Sequence, residues 1–438
     1  MAHNDGVSDA SSRPASPYPA FVESMDLQII TTLASVARQR LTSLNVQCTV
    51  DPNPKIGAFN AVWFINFSDG MHWVLRTPLI DWSPILEKRL HSDMIAMKLI
   101  QSRTEIPIPA IHDFSYAREN ALGRPYTLMD RAKGTQLCKV WFDPIWFTEK
   151  RRMNVFRSLV SCMSQLRTIE FDKIGSVDYD SESCRHFIGP LLPSLDHIAE
   201  GETTSTGPYD TVHAYLFDQI SRQIRSAPTE DHKVSLALLR MFAGSLPDES
   251  LDSPPFVLSM PDFNYQNIFV DEDGEVTALI DWDGIMVGPR QGGYARYPSW
   301  ITRDWDPLMY GYPDSDDPPS KDEVFDESSQ RLGAPESSEI KQIPPREVLE
   351  EDSPSTLQSY RDEYLSAVTA IDPESAFYTR NSHIFEAVEI AVFSPYSRGH
   401  ILDRLARHVF GMEAGIGDLS CWGLEQGIRA GDWLKQLD

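Results

Sequence analysis

The chain has 438 residues, 41% hydrophobic and 24% charged, an ordinary globular balance with ample apolar material for a buried core. Its 64 acidic residues against 39 basic ones leave a formal charge of −25. With no concentrated basic patch, that charge argues against nucleic acid and anionic membrane surfaces as partners. Five scattered cysteines, Cys48, Cys138, Cys162, Cys184 and Cys421, never fall in CxxC spacing, so neither a disulfide framework nor a thiolate zinc site is expected.

The Ser-, Pro- and Asp-rich opening, residues 1–20, is expected to be a disordered tail without a basic leader or apolar signal core. No run of about 18 apolar residues occurs, and the expected setting is cytoplasmic. From Ser24 to Leu44, apolar residues at three- and four-residue spacing predict an amphipathic helix. The stretches NVQCTV, KIGAFNAVWFINF and MHWVLRTPL predict strands, with Asp69-Gly70 at a hairpin tip between the last two. A helix is expected from Pro84 to Gln101. The prolines of IPIPAIHDF then demand extended chain, and PYTLMDRAKG returns as a strand.

Beyond Gly134 the pattern turns mainly helical, at 148–169, 209–224, 232–243, 357–370 and 384–410. The exceptions are FVL, NIFV and VTALI, which read as short strands around 256–280. These features predict an α+β protein of two lobes, a β-rich one over 21–134 and a mainly helical one over 135–438. Residues 313–355, acid-rich and poor in aliphatics, are expected to be a solvated insertion.

The segment Asp262-Phe-Asn-Tyr-Gln-Asn267, followed by Asp281-Trp282-Asp283, carries hard oxygen donors around an expected hairpin. Phosphoryl transfer from ATP needs a carboxylate to orient the acceptor hydroxyl and take its proton. It also needs an amide and a carboxylate to hold Mg²⁺ on the phosphates. Asp262, Asn267 and Asp281 suit those three roles in that order. Asp283 suits either a further metal or substrate contact or a solvated turn. The histidines show no HxH or HExxH spacing, and no GxSxG motif occurs, so zinc and serine-hydrolase chemistry are unsupported.

On these residues the chain resembles the aminoglycoside phosphotransferase family, the small-molecule branch of the protein kinase-like fold, and its fungal members in particular. The family's His-Gly-Asp-x-x-x-x-Asn loop reads here Met260-Pro261-Asp262-Phe-Asn-Tyr-Gln-Asn267, and its Ile-Asp-Trp-Asp/Glu segment reads Ile280-Asp281-Trp282-Asp283. The resemblance implies that the loop around Gly57 covers the nucleotide phosphates. It implies that Arg76 contacts those phosphates with Asp93 as its bracing partner, and that Leu128, Met129 and Asp130 form the hinge beside adenine. ATP and Mg²⁺ are the implied cofactors, and a small-molecule hydroxyl is the implied acceptor; no protein partner is evident.

The alternative is a weak or inactive pseudokinase that serves as a binding scaffold, because Met260, Arg76 and Asp93 depart from the protein-kinase pattern and the chain carries the acidic insertion. A true protein kinase is disfavoured, since Asp281-Trp282-Asp283 replaces Asp-Phe-Gly. The aromatic stretch Trp282, Tyr294, Tyr297, Trp300 and Trp305 suits either an acceptor pocket or core packing.

Overall fold

The computed structural model describes residues 19–244, 249–306, 310–312 and 351–409. The expected tail therefore lies outside the described residues apart from Pro19 and Ala20, which open a short helix, Pro19–Glu23. Residues 313–350 of the expected insertion lie outside them as well. The chain divides into two compact units, Met1–Tyr215 with Glu249–Ala295, and Leu216–Asp248 with Arg296–Asp438.

The first unit opens with the predicted amphipathic helix, Leu27–Thr42. The Asp26 carboxylate accepts from the backbone N–H of Gln28 at 2.8 Å and caps that helix. An antiparallel sheet follows, built from β1 (Cys48–Val50), β2 (Lys55–Ile56), β3 (Asn60–Phe67), β4 (His72–Pro78), β5 (Ile111–Ser115) and β6 (Tyr126–Asp130). Its order is β1-β3-β4-β6-β5, with β2 on β3. Gly70, at φ +83°, supplies the left-handed residue that the β3–β4 hairpin needs. Trp63, Ile65, Trp73, Leu75 and Leu128 alternate onto one face of the sheet and bury against Ile30, Ala34 and Ala37 of the helix.

Between β4 and β5 runs the helix Pro84–Arg103, started by a Ser83 cap and a proline in its first turn. Arg89, Ser92 and Asp93 lie among its buried residues, an unusual load of polar groups for a packed helix face.

Directly after β6 the chain enters β7 (Thr135–Gln136). This strand pairs with β12 (Ile268–Val270), which forms the expected hairpin with β13 (Val276–Leu279). A second small sheet joins β8 (Glu170–Phe171), β11 (Phe256–Leu258) and β14 (Val287–Gly288). A hairpin of β9 (Ser176–Asp180) and β10 (Arg185–Gly189) was not expected from sequence. Its strands bury few side chains, so they carry almost no hydrophobic alternation to read. It is tied to the helix Pro84–Arg103 by Ser92 Oγ, which donates to Val177 O at 2.7 Å. The helix Glu149–Met163 and its 3₁₀ continuation to Thr168 fill the predicted span at 148–169.

The second unit is helical in its described residues, with Glu230–Ala243, Pro354–Ile371, Ser382–Phe393 and Pro395–Arg404 as its longer helices. The single helix expected over 384–410 is broken, because Pro395 forces Ser394 into extended backbone, where it caps the next helix. Tyr297 and Trp300 are buried here. Among the described residues no helix is long and apolar enough to cross a membrane.

Candidate functional site

Three segments of the first unit converge: the loop before β12, the turn after β13 and the cavity-facing residues of β3 and β4. The loop is a chain of local hydrogen bonds. Asn264 N–H donates to Asp262 O and Asn267 N–H to Asn264 O, each at 2.9 Å, which turns 262–267 into a tight bend. Buried Phe263 and Asn267 anchor that bend. The Asn267 amide then donates back to Asp262, at 2.7 Å to Oδ2 and 3.0 Å to the backbone oxygen, and Gln266 Nε2 donates to the same Oδ2 at 2.9 Å. Asp262 Oδ1 accepts from no described residue and remains open for a proton donor.

After β13 the chain reaches Asp281 at φ +64°, a left-handed conformation that aspartate tolerates better than most residues. Trp282 is buried, with its indole N–H on Leu279 O at 3.1 Å, and the carboxylates of Asp281 and Asp283 flank it in sequence. Both reach Arg76. Nη2 bonds Asp281 Oδ1 and Nη1 bonds Asp283 Oδ1, each at 2.5 Å. Asp283 Oδ2 also accepts from Asn60 Nδ2 at 3.2 Å. Asp281 remains 40% exposed with its second oxygen open, whereas Asp283 is 13% exposed.

Burial pushes the Asp281 carboxyl up; Arg76 pulls it back, while Asp283 and Asp262 push it further, and the balance lies above the usual carboxylate range. Burial alone would lower the Arg76 pKa, but Asp283 and Asp281 reverse this and raise it.

The expected Arg76–Asp93 brace is not formed. Asp93 is taken by Arg89, one turn earlier on the same helix, which contacts its two oxygens at 2.5 and 3.2 Å. Asp93 also accepts from Gly284 N–H at 3.2 Å, while Arg89 donates to Ile285 O at 2.7 Å. Both side chains are 2% exposed. Asp93 therefore grips the turn after Asp283, whereas Arg76 finds its counter-charges on the segment 281–283. Sequence reasoning missed Arg89, although the four-residue spacing Arg89–Asp93 on a predicted helix was a signal for it.

Gly57 lies at the β2–β3 turn, its N–H on Asn60 O at 2.8 Å. It has no positive φ, and an added Cβ would meet only Asn60 O, at 3.5 Å. The three expected hinge residues face different ways. Met129 lines a small cavity with Arg76, Asp93, Tyr116, Thr127 and Asp283. Leu128 points into the core against the helix Leu27–Thr42, and its backbone lies in register with β4 and β5. The Asp130 carboxylate pairs with His112 Nε2 at 2.8 Å, and its N–H donates to Ala110 O. Met260, where the family loop carries histidine, is fully buried.

No three His, Cys, Asp or Glu side chains are grouped to hold a metal among the described residues. A divalent cation here would draw on Asn267 and Asp281. With the Asn267 nitrogen committed to Asp262, its side-chain oxygen is free among the described residues. One amide oxygen and one open carboxylate oxygen fit Mg²⁺, which binds few protein oxygens and fills its shell with water and phosphate.

An antiparallel sheet with a helix inserted after β4 is thus followed by the 262–267 loop and by the acidic turn at 281–283, on either side of the β12–β13 hairpin, in an α+β arrangement. Residues 54–312 match the phosphotransferase enzyme family, APH, and the chain belongs to that family.

Among similar proteins, altered inheritance of mitochondria protein 9, mitochondrial, of Meyerozyma guilliermondii is 24% identical over 127 residues, covering 29% of this chain and 21% of its own. A subtelomeric hrmA-associated cluster protein of Aspergillus fumigatus is 24% identical over 349 residues, covering 66% of this chain and 65% of its own. The chain thus spans less than two thirds of the length of either curated relative. Among solved structures, a macrolide 2′-phosphotransferase type I is similar at 13% identity with a TM-score of 0.43, over 89% of this chain and 99% of that one.

Proposed function

We propose that the protein transfers the γ-phosphoryl group of ATP to a hydroxyl of a small molecule. The observation that carries this reading is the pair Asp262–Asn267. The amide fixes one carboxylate oxygen at 2.7 Å and leaves the other open toward an incoming hydroxyl. Asp262 orients that hydroxyl and accepts its proton as the oxygen attacks the γ-phosphorus, and the bond from that phosphorus to the bridging oxygen of ADP breaks.

Asn267 and Asp281 would hold Mg²⁺, which when bound neutralises charge on the phosphates. Arg76 sits beside Asp281 and would turn one arm of its fork to phosphate oxygens. Met129 would face the base from the sheet, and Gly57 would lie over the phosphates. The acidic surface favours an acceptor that carries an amine.

A second reading, binding without transfer, draws on one observation. Arg76 is held by both Asp281 and Asp283, so the nucleotide must break at least one ion pair before it meets the cation.

Incubation with labelled Mg·ATP and a panel of hydroxyl metabolites, wild type beside Asp262→Asn, separates the two readings. Label in a small molecule with the wild type, lost in the variant, supports transfer. Nucleotide binding with no label in any acceptor supports the scaffold.

A further inference from the structure

Asp93 was the expected counter-ion of Arg76, yet it is occupied by Arg89 and by Gly284 N–H. A guanidinium that is only 19% exposed still needs an anion to fix it, and two are in place. They are not equivalent. Asp281 is the more exposed, has an oxygen open and stands in the left-handed conformation. Asp283 is more enclosed and uses both oxygens, one on Arg76 and one on Asn60 of β3.

From this geometry we infer that Asp283 is the permanent anchor of Arg76, while Asp281 is its exchangeable partner. With nucleotide and metal bound, Asp281 would help hold the cation, and Arg76, still paired through Nη1 to Asp283, would offer Nη2 to phosphate. Asn60 completes the device by orienting Asp283 from the neighbouring strand, next to the turn that carries Gly57. Asp283 is thus a positioning residue for nucleotide binding, supplied by the acidic turn rather than by the helix Pro84–Arg103. This inference rests on the phosphotransferase reading above.

The test is a pair of double-variant cycles read by affinity for a fluorescent ATP analogue in Mg²⁺, with unfolding temperature recorded for every variant. Asp283→Asn is expected to bind about tenfold more weakly or worse, the scale of one charge-assisted hydrogen bond. Asp283→Glu should recover part of that loss. The Arg76→Ala and Asp283→Asn losses should not add, because the second removes only what holds the first. Asp93→Asn should combine additively with Arg76→Ala.

Additive losses for the 76/283 pair, or affinity in Asp283→Asn within twofold of wild type, would overturn the inference while leaving the phosphotransferase reading intact. Failure of the folded wild type to bind nucleotide, with or without Mg²⁺, would overturn both.

Discussion

Asn267 Nδ2 lies 2.7 Å from Asp262 Oδ2 and 3.0 Å from the backbone oxygen of the same residue, so one amide fixes both the rotamer and the loop of its partner. Truncating it in Asn267→Ala releases the carboxylate to rotate. Misplacement of a reacting group by about 1 Å costs on the order of 100-fold in rate. Single-turnover transfer should fall by at least that much, whereas the unfolding free energy should drop by only about 1–2 kcal/mol for the lost hydrogen bonds.

The Arg89–Asp93 pair makes a different prediction. Both residues are buried, and removing one partner strands a charge away from water. Arg89→Met or Asp93→Leu alone should each cost about 3–5 kcal/mol in urea unfolding. The double variant Arg89→Met/Asp93→Leu should be markedly more stable than the sum predicts. It would still leave Ile285 O and Gly284 N–H without the partners they have now.

Two glycines with positive φ should respond unequally to alanine. At Gly70, φ +83°, an added Cβ meets nothing within 4 Å, so only the backbone conformation is penalised, at about 1 kcal/mol. At Gly134, φ +94°, it would lie 2.6 Å from Val270 O and 2.5 Å from Thr277 Oγ1. Gly134→Ala should therefore cost on the order of 3 kcal/mol or more. Thermal unfolding of the two variants side by side checks the contrast.

His383 provides a pH handle in the second unit. Burial, with the nearby Arg361 charge as a lesser cause, holds its pKa down at about 3, and its Nδ1 has no hydrogen-bond partner. The unfolded chain binds a proton here below about 6.5 while the native state does not. Stability from this group is therefore complete above the unfolded value and is lost as pH falls toward the folded one. His383→Phe should flatten the decline of unfolding temperature between pH 6.5 and 4, where wild type should fall steadily.

The sheet was legible because its strands are rich in apolar and aromatic residues, β3 alternates over most of its length, and the β3–β4 hairpin carries Asp-Gly. Asp262, Asn267 and Asp281 stood out because the roles proposed for them would require those side chains at that spacing. The partner of Arg76 was not. Asp93 and Asp283 are both aspartates at reachable positions, and the choice between them depends on Arg89 occupying one of them, a competition visible only once the chain is folded. The side-chain directions of the three hinge residues were not legible either. A hinge is recognised through backbone, and sequence alone does not say which of three consecutive residues turns its side chain to the core. The β9–β10 hairpin was unreadable because only the opposed pair Val177 and Ile188 buries apolar side chains in its two short strands, too little for an alternating pattern.

The pairing of β7 with β12 has a consequence for how this chain tolerates length changes. Only four residues separate the end of β6 from the start of β7, and β7 hydrogen-bonds the strand that begins one residue after Asn267. An extra residue at 131–134 would have to bulge out or slip β7 against Phe269 and Val270, reversing which side chains face inward. Natural and engineered insertions should be scarce at this short connection and far more frequent between β9 and β10, whose hairpin tip carries no site residue.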